Sequence, residues 1–202
     1  MKKRDSFDYY VLLFFLVSFF GWGWEVVLYL VREGRFVNRG ILSGPWLPIY
    51  GAGALFLYLL FINPLLRGPL SGRRRADGRI RKPLLVFLIS MTVCSILEYL
   101  AGSLLEKTWG VKWWDYSGMP FNLNGHICLM SCLMFGIGGL FLVFFLIPVY
   151  TGLYYRVPEK VRLAAALLLL GLFIMDAAHS ADFPNVGRGI TYRLSSCFLK
   201  TA

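Results

Sequence analysis

Charge is what this sequence has least of. Only 16% of its 202 residues are Asp, Glu, Lys or Arg, against 57% apolar and 17% aromatic. A soluble globular domain carries about a quarter charged residues, so a water-soluble enzyme of this length is excluded. Histidine occurs twice and cysteine four times. Three of the cysteines, Cys94, Cys128 and Cys132, fall inside apolar runs, where a thiol behaves as a small hydrophobe rather than part of a disulfide framework. The chain has no Gly-x4-Gly-Lys-[Ser/Thr] phosphate loop, no His-Glu-x-x-His and no Gly-x-Ser-x-Gly. It therefore has no ATPase, zinc-protease or serine-hydrolase motif of its own, and no cofactor is implied.

What is present is hydrocarbon in long runs. Five stretches approach the about 20 helical residues needed to cross a ~30 Å bilayer core. They are residues 9–31, 47–66, 83–105, 127–150 and 163–181. The expected fold is all-α: one integral membrane domain over 1–202, a polytopic transmembrane helical bundle of about five spanning helices, with a tail over 182–202. Membrane lipids are the immediate partners. The net charge of +10 does not point to nucleic acid, because seven of the 21 basic residues crowd between Arg67 and Lys82. Basic residues in short connections set topology. Thirteen Lys and Arg lie on the side of the N-terminus and eight on the other. That imbalance predicts a multi-pass protein of the cell membrane with a cytoplasmic N-terminus and outward-facing first and third loops.

Both outward loops mix glycine, proline and aromatics with a few amides and charges. Irregular backbone cannot face lipid with its N–H and C=O groups unpaired, so these loops must pack on protein or line a wet cavity. Trp46, Trp109 and Trp113 read as interfacial anchors. A thin internal repeat links the two halves: Glu25 and Glu33 recur as Glu98 and Glu106 with an offset of 73, and Gly51 matches Gly125 after one insertion.

Ionisable residues within spanning segments are functional candidates by default. Glu25 and Glu98 fall at corresponding depths, where they can share a proton, bind a cation or pair with Arg35 or Arg39. The alternative is an ion pair that only locks the bundle. Gly21 and Gly23 beside Glu25 allow a neighbouring helix to come close. Asn38, Arg39, Glu106, Asp115, Asn122, Asn124 and His126 are the further candidates for a polar site at the outer mouth. Arg39 is expected to meet Asp115, Glu106 or Glu33. Asp176 and His179 share a helix face, and Ser180 beside them cannot complete a hydrolytic triad. The His126-x-Cys128-x3-Cys132 spacing fits no zinc framework, so no metal is expected.

Several of these stretches resemble a known family. Trp24-Glu25, the run from Gly34 to Gly40, Gly44-Pro-Trp46, Pro48-Ile-Tyr-Gly51, Leu97-Glu-Tyr99, Leu105-Glu106, Trp114-Asp-Tyr-Ser117 and Phe121-Asn-Leu-Asn-Gly125 are similar to the type IV ABC-transporter family of CmpB-like permeases. The resemblance runs from about Glu25 to Gly139. It implies a bacterial permease subunit of unspecified substrate, working with a separate ATPase subunit or with further copies of itself. The residues alone leave a second reading open, a membrane-embedded enzyme acting on a lipid or headgroup at the outer face. In that reading Arg35 and Arg39 would clamp a phosphate, and Asp115, Glu106 or His126 would serve as acid or base. A third is a non-catalytic partner protein.

Overall fold

The computed structural model describes residues 6–34, 36–62 and 78–185, without the side chains of 32, 33 and 78–81. Arg35, the Glu33 side chain, the basic segment 67–77 and the tail from 186 lie outside that set. Five helices account for most of it: α1 (Phe7–Glu33), α2 (Pro48–Phe61), α3 (Gly78–Trp109), α4 (Leu129–Tyr154) and α5 (Glu159–Asp182). Among the described residues there is no β-strand beyond one isolated bridge between Leu123 and Ile127.

Four of these helices, all but α2, are long and apolar enough to cross a membrane, with mean hydropathy of 2.0 or more over their best windows. The described part of α2 has 14 residues, about 21 Å at 1.5 Å per residue. It starts deep in the bundle. The Leu47 amide donates to the Ser18 carbonyl at 3.1 Å, and Ser18 lies about 22 Å short of the Glu33 end of α1 at the same rise. The first loop therefore leaves α1 at Gly34, in a left-handed turn (φ 67°), and re-enters the bundle before α2 begins.

Small residues set the helix spacing. A Cβ on Gly51 of α2 would sit 2.4 Å from Ser18 Oγ, and one on Gly139 of α4 would sit 2.0 Å from Ser90 Oγ. The α1–α2 and α3–α4 hairpins thus use one device, a serine on the first helix against a glycine on the second. Gly21 receives the Tyr50 ring in the same way, whereas Gly23 meets nothing and faces outward. Gly51 and Gly125 are not equivalent: one is inside α2, the other in a loop at φ 74°.

The core runs along α1, α2 and α4 and narrows to a tyrosine belt at the end opposite the long loops. There Tyr9 packs on Tyr58, Tyr150 and Tyr154 with ring centroids 4.9–5.2 Å apart. Tyr154 donates to Asp8 at 2.6 Å, Arg162 Nε reaches Asp8 Oδ2 at 3.3 Å, and the Arg162 guanidinium lies 4.0 Å over the Tyr154 ring. These contacts fasten α1, α4 and α5 together. Within α4 the turn Leu142–Leu146 is a π-helix. Pro148 follows after Ile147, and its missing N–H and bulky ring unsettle the preceding turn.

Candidate functional site

The first loop is held in the bundle by side chains whose roles its own sequence does not announce. Trp46 is buried against Phe15, Phe19 and Phe173, with centroids 5.7–5.9 Å apart. It is a core residue, not an interfacial anchor, because α5 closes over it. Trp113, only 2% exposed, is likewise buried within the protein. Asp176 of α5 accepts from the Ser43 amide at 3.1 Å, the Gly44 amide at 2.9 Å and Trp46 Nε1 at 2.7 Å. Asn185 adds bonds to the carbonyls of Asn38, Gly40 and Ile41. The acidic residue in α5 thus answers backbone donors that a re-entrant loop would otherwise leave unpaired.

So anchored, the loop delivers Arg39. This residue is 95% buried, with Nε 2.9 Å from Glu25 Oε2 and Nη1 3.5 Å from the Trp113 carbonyl. Its guanidinium lies 4.2 Å from the centre of the Tyr29 ring. Among the described side chains the carboxylate facing it is Glu25 of α1, as one expectation has it, rather than Asp115 or Glu106, because re-entry draws the loop down beside α1. The Glu33 side chain lies outside the described set. Glu25 also accepts from the Tyr50 hydroxyl at 3.0 Å. Glu98 of α3 lies within the field of Glu25 and Arg39. Tyr116, from the loop 110–128, is near both glutamates. Burial first, then those two carboxylates, push its hydroxyl well above the ordinary tyrosine value, so it stays protonated. Glu25, Arg39, Tyr50, Glu98 and Tyr116 therefore form one polar cluster from five segments.

The remaining candidates stand elsewhere. His126 Nε2 lies 3.2 Å from Glu106 Oε2, and Asn124 Nδ2 donates to the Tyr99 hydroxyl at 2.9 Å. Lys112 reaches the Asn124 carbonyl at 2.8 Å and Asp115 at 3.9 Å. Burial pushes Asp115 up, but the Ser117 hydroxyl and amide and the Lys112 ammonium outweigh it and hold the carboxyl below its ordinary value. Burial lowers His126 below the ordinary 6.5, with Glu106 opposing and Lys112 assisting, so the ring is neutral near pH 7. Asn38 and Asn122 serve their own loops. Asn38 accepts from Trp22 Nε1 at 2.7 Å and donates to the Ser43 carbonyl, and Asn122 donates to the Ser117 and Met119 carbonyls. Arg39 thus belongs to one cluster, Asp115 and Asn124 to another joined through Lys112, and Asn38 to neither. Cys128 is the N-cap of α4, in a capping box with Ser131. Among the described residues no three His, Cys, Asp or Glu side chains are grouped to hold a metal ion.

The architecture defines a polytopic helical membrane protein with a re-entrant loop and a half-buried polar cluster beneath its long loops. The chain belongs to the family described as "Putative ABC-transporter type IV", whose model matches residues 12–181, and is a membrane transporter component. No curated protein and no solved structure matches it.

Proposed function

We propose that this chain is a permease subunit whose solute path passes the cluster of Glu25, Arg39, Tyr50, Glu98 and Tyr116. The end carrying the long loops faces outward, and the N-terminus is cytoplasmic in the plasma membrane. The observation that carries the reading is the Glu25–Arg39 ion pair, with a buried guanidinium and a half-buried carboxylate, built from a helix and a re-entrant loop. Irregular backbone and ionised groups at membrane depth are tolerated where they line a path or a protein interior. Energy has to come from another chain, because this one has no phosphate-binding loop. A separate ATPase subunit, or further copies around a shared path, supplies what five helices lack.

Cys94 is a built-in reporter, because it lies one helical turn from Glu98 and is a free thiol. In a Cys128→Ser, Cys132→Ser, Cys197→Ser background, a charged, membrane-impermeant methanethiosulfonate should modify Cys94 in intact cells. Modification only after the membrane is dissolved would remove the polar path and leave the cluster as a structural lock.

A further inference from the structure

Resting on that reading of the cluster, we propose that Glu98 and Ser95 form a binding site for a small monovalent cation, an alkali ion or the ammonium group of a primary amine. Helices α2 and α3 run antiparallel, and a Cβ on Gly53 would lie 3.6 Å from Cys94 Sγ. One turn from that contact toward the long loops, α2 presents Tyr50 and α3 presents Glu98 at the same level. The Tyr50 hydroxyl is already given to Glu25, so the two glutamates flank one tyrosine. Counted as ionised, two carboxylates and one guanidinium leave a single uncompensated negative charge.

Arg39 is committed to Glu25, the Trp113 carbonyl and the Tyr29 ring. Glu98 accepts no hydrogen bond among the described residues. Ser95, one turn away on the same helix, is 92% buried, and its Oγ has no partner there. Buried polar atoms left without partners are rare and call for a water, an ion or a ligand. With Glu98 ionised, an occupant carrying one positive charge and satisfied by oxygen balances the cluster. A transition metal fits poorly, because its usual trio of His, Cys or carboxylate ligands is not assembled among the described residues. The charged and titratable groups facing Glu98 are Glu25 from α1, Arg39 from the first loop, Tyr50 from α2, Cys94 from α3 and Tyr116 from the second long loop.

The test uses the full chain in detergent, with Cys94 as the only cysteine. Sodium, potassium and methylammonium chlorides are compared with N-methylglucamine chloride at equal ionic strength. The expected result is that one of the small cations slows Cys94 alkylation by about tenfold once it exceeds its Kd about tenfold, and raises Tm. Protection by alkali ions identifies an inorganic occupant, and protection by methylammonium alone an amine. Glu98→Gln should abolish both effects, and Ser95→Ala should weaken them while leaving the charge in place. A Tm that ignores every cation but follows pH through Glu98 would mean a proton suffices, and would overturn the proposal while leaving the path intact. Failure of Cys94 to react in cells removes the path instead, and the Tm comparison still decides the cation site.

Discussion

His126 shows how a single side chain can tie stability to acidity. Its Nε2 faces Glu106, and a Cβ on Gly102 would lie 2.8 Å from its Nδ1, so the ring is wedged against α3. Burial lowers its pKa in the folded protein. Above the ordinary 6.5 the ring is neutral in both folded and unfolded chains, and the full stability is present. As pH falls below 6.5 the unfolded chain takes up a proton that the folded one resists, and stability is lost until the folded pKa is passed. Tm in detergent should therefore drop between pH 6.5 and 5, and His126→Gln should flatten that part of the curve. An unchanged slope in the variant would assign the acid sensitivity to another group.

At the scale of elements, the hairpins depend on glycines whose neighbours cannot yield. A Cβ on Gly51 would meet Ser18 Oγ at 2.4 Å and the Phe14 carbonyl oxygen at 2.6 Å, the latter part of a rigid helix. Gly51→Ala and Gly139→Ala should each cost about 2 kcal/mol through overpacking. Gly23→Ala should change stability little, since nothing lies within 4 Å. Chemical or thermal unfolding of the three variants separates the cases, and equal losses at all three would refute the packing account. Element by element, the helices were legible in the sequence because apolar runs of this length have few alternatives. Even the start of α2 was legible to within a residue, 47 against Pro48, but not what fixes it there. Where α2 starts depends on the Leu47–Ser18 bond and on a pocket for Trp46 made by α1 and α5, contacts between residues as much as 158 positions apart along the chain from Phe15 to Phe173. The same applies to the site. That Glu25 and Glu98 lie at one level could be read from position, whereas the choice of Glu25 over Asp115 as the partner of Arg39 required the re-entry. Asp176 was visible as a charge in a span, but its task of holding loop amides was not. Asp8 and Arg162 gave no signal, since each sits where a helix end normally meets water.

For the whole molecule, the proposed orientation rests on the distribution of basic residues. Thirteen Lys and Arg against eight favour an N-terminus and a 67–82 segment on the cytoplasmic side. A cysteine introduced at Ser71 should resist an impermeant thiol reagent in intact cells and react in inverted vesicles, while one at Ser117 should do the reverse. Labelling of Ser71→Cys from outside would invert the proposed path. At the end opposite the long loops the buried Asp8–Arg162–Tyr154 contacts and the tyrosine belt close the bundle across four helices, α1, α2, α4 and α5. The polar cluster sits toward the end with the long loops, so in this conformation the more firmly tied face is the one away from them.

The carboxylate that seals the first loop belongs to the last helix. Ribosomes deliver residues 36–47 well before Asp176 exists, so for most of synthesis the amides of Ser43 and Gly44 await their acceptor. The nascent N-terminal hairpin cannot settle in lipid on its own terms. It must wait at the insertion machinery, or stay shallow and wet, until α5 arrives. The order of biogenesis is thus written into the fold: the first loop made is among the last to be buried.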